Sequence, residues 1–157
     1  MHLGLISDTH GFLDPVVLDL FKDVDLILHA GDVGSLAVIE ALSSVAPVRA
    51  VRGNIDEGLE TAQLPLVDEF ESGGLKLHLV HQLNLRALPA ADLVVYGHSH
   101  QARVAEVDGR LLVNPGAAGR RGFHRTFTVG FVDIIDLEAT ARIVEFGARL
   151  PRVSTAC

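Results

Sequence analysis

A chain of 157 residues with 48% hydrophobic content is long enough for a single domain to bury a core without staples. Its formal charge of −7 excludes the grip on an extended nucleic acid that needs clustered Lys and Arg. Its one cysteine, Cys157, allows neither an internal disulfide nor a thiolate cluster for a metal, which suits a reducing cytoplasm.

The first residues enter an apolar segment at once, with no basic leader, no small-residue cleavage site and no apolar run of membrane-spanning length. The expectation is a cytoplasmic protein with no membrane partner. Short runs rich in Val, Ile and Leu at 3–7, 25–29, 47–51, 75–81 and 92–96 read as strands. Helical spacing lies between the first three, at about 13–22 and 35–45, with Ser35 placed to cap the second helix. This β-α-β-α-β opening favours a parallel sheet.

From 102 onward the pattern alternates without helices: 102–107, the turn Asp108-Gly109, 110–113, then 125–135 and 141–146. Asp-Gly between alternating segments marks a hairpin. A parallel front half and an antiparallel back half predict an α/β (α+β) domain spanning 1–157, with two sheets face to face and helices outside. The apolar back-half strands also offer an edge or face for a homo-oligomer.

Ligands in open α/β sheets bind past the carboxyl ends of the strands. There the sequence places Asp8-Thr9-His10-Gly11, Gly31-Asp32, Gly53-Asn54-Ile55-Asp56, His81-Gln82 and Gly97-His98-Ser99-His100. From a turn or from extended backbone, where residues two apart share a face, Asp-x-His and His-x-His can each aim two donors at one point. Oxygen and imidazole donors without sulfur suit Mn, Fe, Co, Ni or Zn. The glycines beside Asp32, Asn54, His98 and His10 let the backbone turn or approach closely. Singly, each fragment is an ordinary turn; together, in this order, they point to a metal site.

In these motifs, D-x-H, G-D, G-N, H and G-H-x-H, the chain resembles the calcineurin-like metallophosphoesterase superfamily, most of all its small bacterial and archaeal phosphodiesterase branch. The likeness runs from Asp8 to about Arg121 and includes Asn114-Pro115-Gly116. It implies a four-layer αββα sandwich, two divalent ions (Mn, or Ni, Fe, Co or Zn) and hydrolysis of phosphodiesters or phosphomonoesters by a metal-bound hydroxide. Asp8, His10 and His100 would hold one ion, Asn54, His81 and His98 the other, and Asp32 would bridge. The substrate would be a small phosphorylated molecule such as a nucleotide or another phosphodiester. The same resemblance carries an alternative, since a relative in eukaryotic endosomal sorting uses this fold as a protein-binding scaffold without significant catalysis.

Two positions depart from the family pattern. Ile55 stands where many members carry a histidine that meets the leaving group, and Gln82 stands where this branch usually has glycine. Around the ligands, His29 and Asp56 are expected to orient them, with Asp56 also a conceivable proton source. Asn114, Arg120 and Arg121 are expected near the substrate, and His2, His78 and His124 in ordinary structural or surface roles.

Overall fold

The computed structural model describes residues 1–149, so Cys157 lies outside the described residues. Among the described residues ten strands form two five-stranded sheets. The first, ordered β10-β9-β1-β2-β3, joins β1 (His2–Ile6), β2 (Leu26–Ala30) and β3 (Val48–Val51) in parallel, then β9 (Thr126–Ile135) and β10 (Glu138–Ala148) in antiparallel. The second, ordered β4-β5-β6-β8-β7, holds β4 (Val67–Ser72), β5 (Leu75–Val80), β6 (Leu93–Val95), β7 (Arg103–Val107) and β8 (Arg110–Asn114). Within it β5, β6 and β8 run parallel.

The sheets are therefore not divided by chain half, as the change of periodicity predicts; both are mixed. The long, buried β9 returns to the open edge of β1, pairing His2 with Asp133 through Leu5 with Gly130, and leaves the middle of the chain to build the second sheet. Alternating Leu3, Leu5, Leu28 and Val132 of the first sheet meet Leu77, Leu79, Leu93 and Val113 of the second in one apolar layer. Burying each such side chain contributes about 1.5–3 kcal/mol.

On the outer face of the first sheet, Ile6, Ile27, Val129 and Phe131 pack against Val17 and Phe21 of α1 (Val16–Leu20) and Val38 and Leu42 of α2 (Leu36–Ser43). Ser35 caps α2 as expected, its side chain accepting from the Ala37 N–H at 3.2 Å. Pro15 stands at the N-cap of α1 and bars the helix from running further upstream, and the helix ends after five residues at Phe21. Among the described residues both α-helices lie on this face, and irregular chain from 81 to 92 links β5 to β6. The Asp108-Gly109 hairpin forms as read, both residues at positive φ and Val107 facing Arg110.

Candidate metal centre

Five strand ends converge at one edge of the sandwich. Backbone bonds stitch the turns together: the Asp8 N–H donates to Gly31 O at 3.0 Å, His10 N–H to Asp32 O at 2.9 Å, and Gly97 N–H to His81 O at 3.0 Å. At the strand ends the chain turns through left-handed backbone at Asp8 (φ 55), His10 (φ 50), Asp32 (φ 52), His98 (φ 70) and His100 (φ 58). Such conformations cost on the order of 1 kcal/mol or more for a residue with a Cβ, although Asp and His tolerate them better than most. Five strained residues in one crevice, all with donor side chains, mark a site built for ligation.

Seven donor residues form two groups that share Asp32. Asp8, His10, Asp32 and His100 present ligand atoms that all lie within 4.8 Å of one another. His100 Nε2 is 3.2 Å from Asp8 Oδ1, and His10 Nε2 is 3.4 Å from His100 Nε2 and 3.7 Å from Asp32 Oδ2. In the second group Asn54 Oδ1 lies 3.2 Å from both His81 Nε2 and His98 Nδ1, and His81 Nε2 lies 3.3 Å from Asp32 Oδ1. Asp32 thus turns one carboxylate oxygen to each group. The Asp8 Oδ1 atom is wholly buried yet accepts no hydrogen bond. A buried anionic oxygen with its lone pairs aimed at imidazole nitrogens, and no proton to satisfy it, fits a cation.

The surroundings fix these groups. His81 Nδ1 lies 2.7 Å from the Ala30 carbonyl and donates to it, so Nε2 keeps its lone pair for the crevice. Gly31, at φ +88, lets the backbone pass beneath that ring, where a Cβ would sit 2.7 Å from it. Burial opposes the charge on Asp32, but the His81 contact and the Ile55 N–H outweigh burial and hold its carboxyl below the usual value. His81 shows the reverse balance: burial depresses it, while Asp32 and the Ala30 carbonyl raise it above the ordinary imidazole value. His10 is lowered, chiefly by burial, against the pull of Asp32 and Asp8.

The sequence-predicted neighbours divide. His29 is buried, its Nε2 2.9 Å from the hydroxyl of Thr9, between Asp8 and His10. Asp56 accepts from the N–H groups of Gly53 (2.8 Å), Gly34 (2.8 Å) and Val33 (3.1 Å) and from the Thr61 hydroxyl (2.7 Å), clamping the loops after β2 and β3. Burial works against its charge, but these donors hold its carboxyl below the ordinary range, so it has no proton to give. That removes Asp56 as an acid. Asn114 is fully buried and does not line the crevice: its amide donates to Gly97 O and Ser99 Oγ and accepts from the Gly116 N–H, bracing the 98–100 turn.

Arg120 lays its guanidinium 4.0 Å over the Phe12 ring, while the charge of exposed Arg121 reaches His10. His2 and His78 contact Asp133 and Glu69 at 2.6 and 2.8 Å, away from the crevice. Two residues escaped sequence reasoning. Gln82, the departure after His81, places its amide 2.8 Å from His98 Nε2, and His124 puts Nδ1 3.2 Å from His100 Nδ1. Nothing in the local sequence signals either contact, because both depend on loops folding back from distant positions. Beside them, a cavity of about 440 Å³ is lined by His98, Ser99, His100, Gln101, Gly122, Phe123 and His124, with the Phe123 ring fully exposed.

Fold and site define a two-sheet sandwich with a candidate metal centre at one edge. Residues 1–136 match the calcineurin-like phosphoesterase superfamily domain, and the chain belongs to that family. It is 37% identical over 135 residues to a probable metallophosphoesterase of Methanothermobacter thermautotrophicus, covering 74% of this chain and 77% of that one. Among solved structures it is similar to an archaeal phosphodiesterase, at 27% identity and a TM-score of 0.71 over 92% of this chain and 100% of the other. Vps29 of Chaetomium thermophilum shares the fold, with a TM-score of 0.75 at 18% identity over 95% of this chain and 98% of its own. No helix among the described residues is long and apolar enough to cross a membrane.

Proposed function

We propose that this protein is a dinuclear metal-dependent phosphoesterase of the cytoplasm, acting on small phosphodiesters or phosphomonoesters such as nucleotides. The observation that carries this reading is the divided carboxylate of Asp32, with Oδ2 facing His10 and Oδ1 facing His81. Asp8, His10 and His100 would hold one ion and Asn54, His81 and His98 the other, with Asp32 common to both; Mn²⁺ is the favoured metal, and Ni, Fe, Co or Zn suit the same donors.

Two divalent ions held by these residues would supply a nucleophile from water near neutral pH and would stabilise charge on the phosphoryl oxygens. The chain's residues set the conditions. Asp8 and Asp32 bring less negative charge than two divalent ions bring positive, so the crevice attracts an anionic phosphoryl group and favours it over a neutral acyl substrate. Exposed Arg121, whose charge reaches His10, would meet a phosphate oxygen. The cavity flanked by His98, His100 and Phe123 receives the organic group of the ester. Ser7, 2.7 Å from Asp8 Oδ2, and the Ala30 carbonyl, on His81, hold the ligands in orientation.

The test is hydrolysis of bis(p-nitrophenyl) phosphate with and without Mn²⁺, with Asp32→Ala and His98→Ala as controls. Metal-dependent turnover lost in both variants supports the reading. Turnover indifferent to both substitutions overturns it, and a folded protein with no turnover on any phosphoester leaves the scaffold alternative in its place.

A further inference from the structure

We infer that His124 is a positioning residue for the metal centre: it holds the His100 ring in the tautomer and orientation that turn Nε2 toward Asp8 and His10. The inference rests on the dinuclear reading above and concerns a histidine that lies outside every motif of the family pattern.

The proton inventory of the two rings decides it. His124 Nε2 lies 2.9 Å from the Gly119 carbonyl, an obligate acceptor, so this nitrogen carries the hydrogen. In a neutral imidazole the other nitrogen, Nδ1, then offers only a lone pair. It faces His100 Nδ1 at 3.2 Å, so the hydrogen between the rings belongs to His100. With Nδ1–H committed to His124, His100 keeps its Nε2 lone pair, and that atom sits 3.2 Å from Asp8 Oδ1 and 3.4 Å from His10 Nε2. One directed chain runs from a backbone carbonyl through two imidazoles to the ligand point. A carboxylate or a carbonyl commonly fills this place behind a metal-binding histidine; here a second imidazole relays a carbonyl.

The rest of the loop is built to hold the relay still. The His124 ring meets His100 edge-on at 5.1 Å between centroids and Phe127 at 5.7 Å. Gly122 runs so close to His100 that a Cβ there would strike its ring. Arg149, at the end of β10, donates to the carbonyls of Gly122 (2.5 Å) and Arg120. The segment that walls the cavity beside the metals is thereby tied to one of their ligands.

Two variants separate positioning from packing. His124→Phe keeps the ring and its contacts with Phe127 but removes both nitrogens; His124→Asn keeps an acceptor near the place of Nδ1. The readout is Mn²⁺ binding by metal-free protein, measured by calorimetry, with circular dichroism to verify folding. Wild type should take up two ions. His124→Phe should weaken one of them by about 10–100-fold while leaving the other unchanged, and His124→Asn should recover most of that loss. Equal affinity for both ions in wild type and His124→Phe overturns the inference, as does an Asn variant no better than Phe. Wild-type protein that binds fewer than two ions overturns the dinuclear reading itself, a result distinct from either.

Discussion

There is no room for a side chain between Gly53 and the carboxylate of Asp32: a Cβ at position 53 would fall on Oδ1. Gly53 has φ −104, so it is required for this close approach and not for an unusual backbone. Gly53→Ala should push Asp32 away from His81 and His10 without removing any donor. Misplacing a reacting group by about 1 Å costs roughly a hundredfold, and kcat/KM on a diester should fall by about that factor while circular dichroism stays native. A Gly53→Ala enzyme with near wild-type kcat/KM would contradict the contact.

Asp56 is the anchor of the same loops. Replacing it with Ala strands the N–H groups of Val33, Gly34 and Gly53, two of them buried, and the Thr61 hydroxyl, and hydrogen bonds to a charged acceptor contribute about 1.5–3 kcal/mol each, with partial relaxation expected. Asp56→Ala should lose about 3–5 kcal/mol in urea unfolding. Asp56→Asn should also lose stability, because its NH₂ would face donors. A urea midpoint unchanged in either variant would show that the loops hold without the carboxylate.

How much of this was legible in the sequence follows from the range of each interaction. Asp8, His10, Asp32, Asn54, His81, His98 and His100 end apolar runs or directly follow them, and strand ends are local signals, so the candidate site could be read. Ser35 and Asp108-Gly109 were legible for the same reason. The strand β4 was not, since Val67-Asp68-Glu69-Phe70-Glu71-Ser72 has two apolar residues out of phase with alternation; it is a half-solvated edge strand held by pairing Val67 with Val80 through Ser72 with Leu75. Its Gly73-Gly74 turn, both residues at positive φ, is the local hairpin signal that joins it to β5. Sheet membership of β9 was invisible because periodicity reports burial and not partner. His124 and Gln82 belong to the same class: their partners lie 24 and 16 residues away.

His29 makes stability depend on pH. Thr9 Oγ1 lies 2.9 Å from the Val33 carbonyl and donates to it, so His29 Nε2 donates to Thr9, and the wholly buried ring is neutral. Burial pushes its pKa from 6.5 down to about 4, against the carboxylates of Asp8 and Asp56. Between those values the unfolded chain binds the proton and the folded chain does not, so this contribution to stability is full above 6.5, declines as pH falls, and levels off below about 4. At about 1.4 kcal/mol per unit the whole span is worth about 3 kcal/mol. Urea unfolding of metal-free protein from pH 7.5 to 4.5 should show a steeper decline for wild type than for His29→Gln, which keeps a donor for Thr9 and does not titrate. Parallel curves would place the titration elsewhere.

The leaving group tests what Ile55 does to the chemistry. Its N–H is committed to Asp32 Oδ1 at 3.1 Å, so position 55 is locked beside the shared carboxylate, and its side chain has no proton to offer. Asp56 next to it is ionised and fully engaged. With no side-chain acid at 55 or 56, an alkoxide must then draw its proton from water, whereas a p-nitrophenolate leaves without protonation; a positioned acid contributes about 10²–10⁴-fold. Alkyl esters should therefore be cleaved at least about a hundredfold more slowly than p-nitrophenyl esters in kcat/KM. Ile55→His should raise the alkyl rate about tenfold or more while changing the aryl rate little, because only the former transition state needs the proton. Equal rates for alkyl and aryl esters in the wild type would mean that another group supplies it.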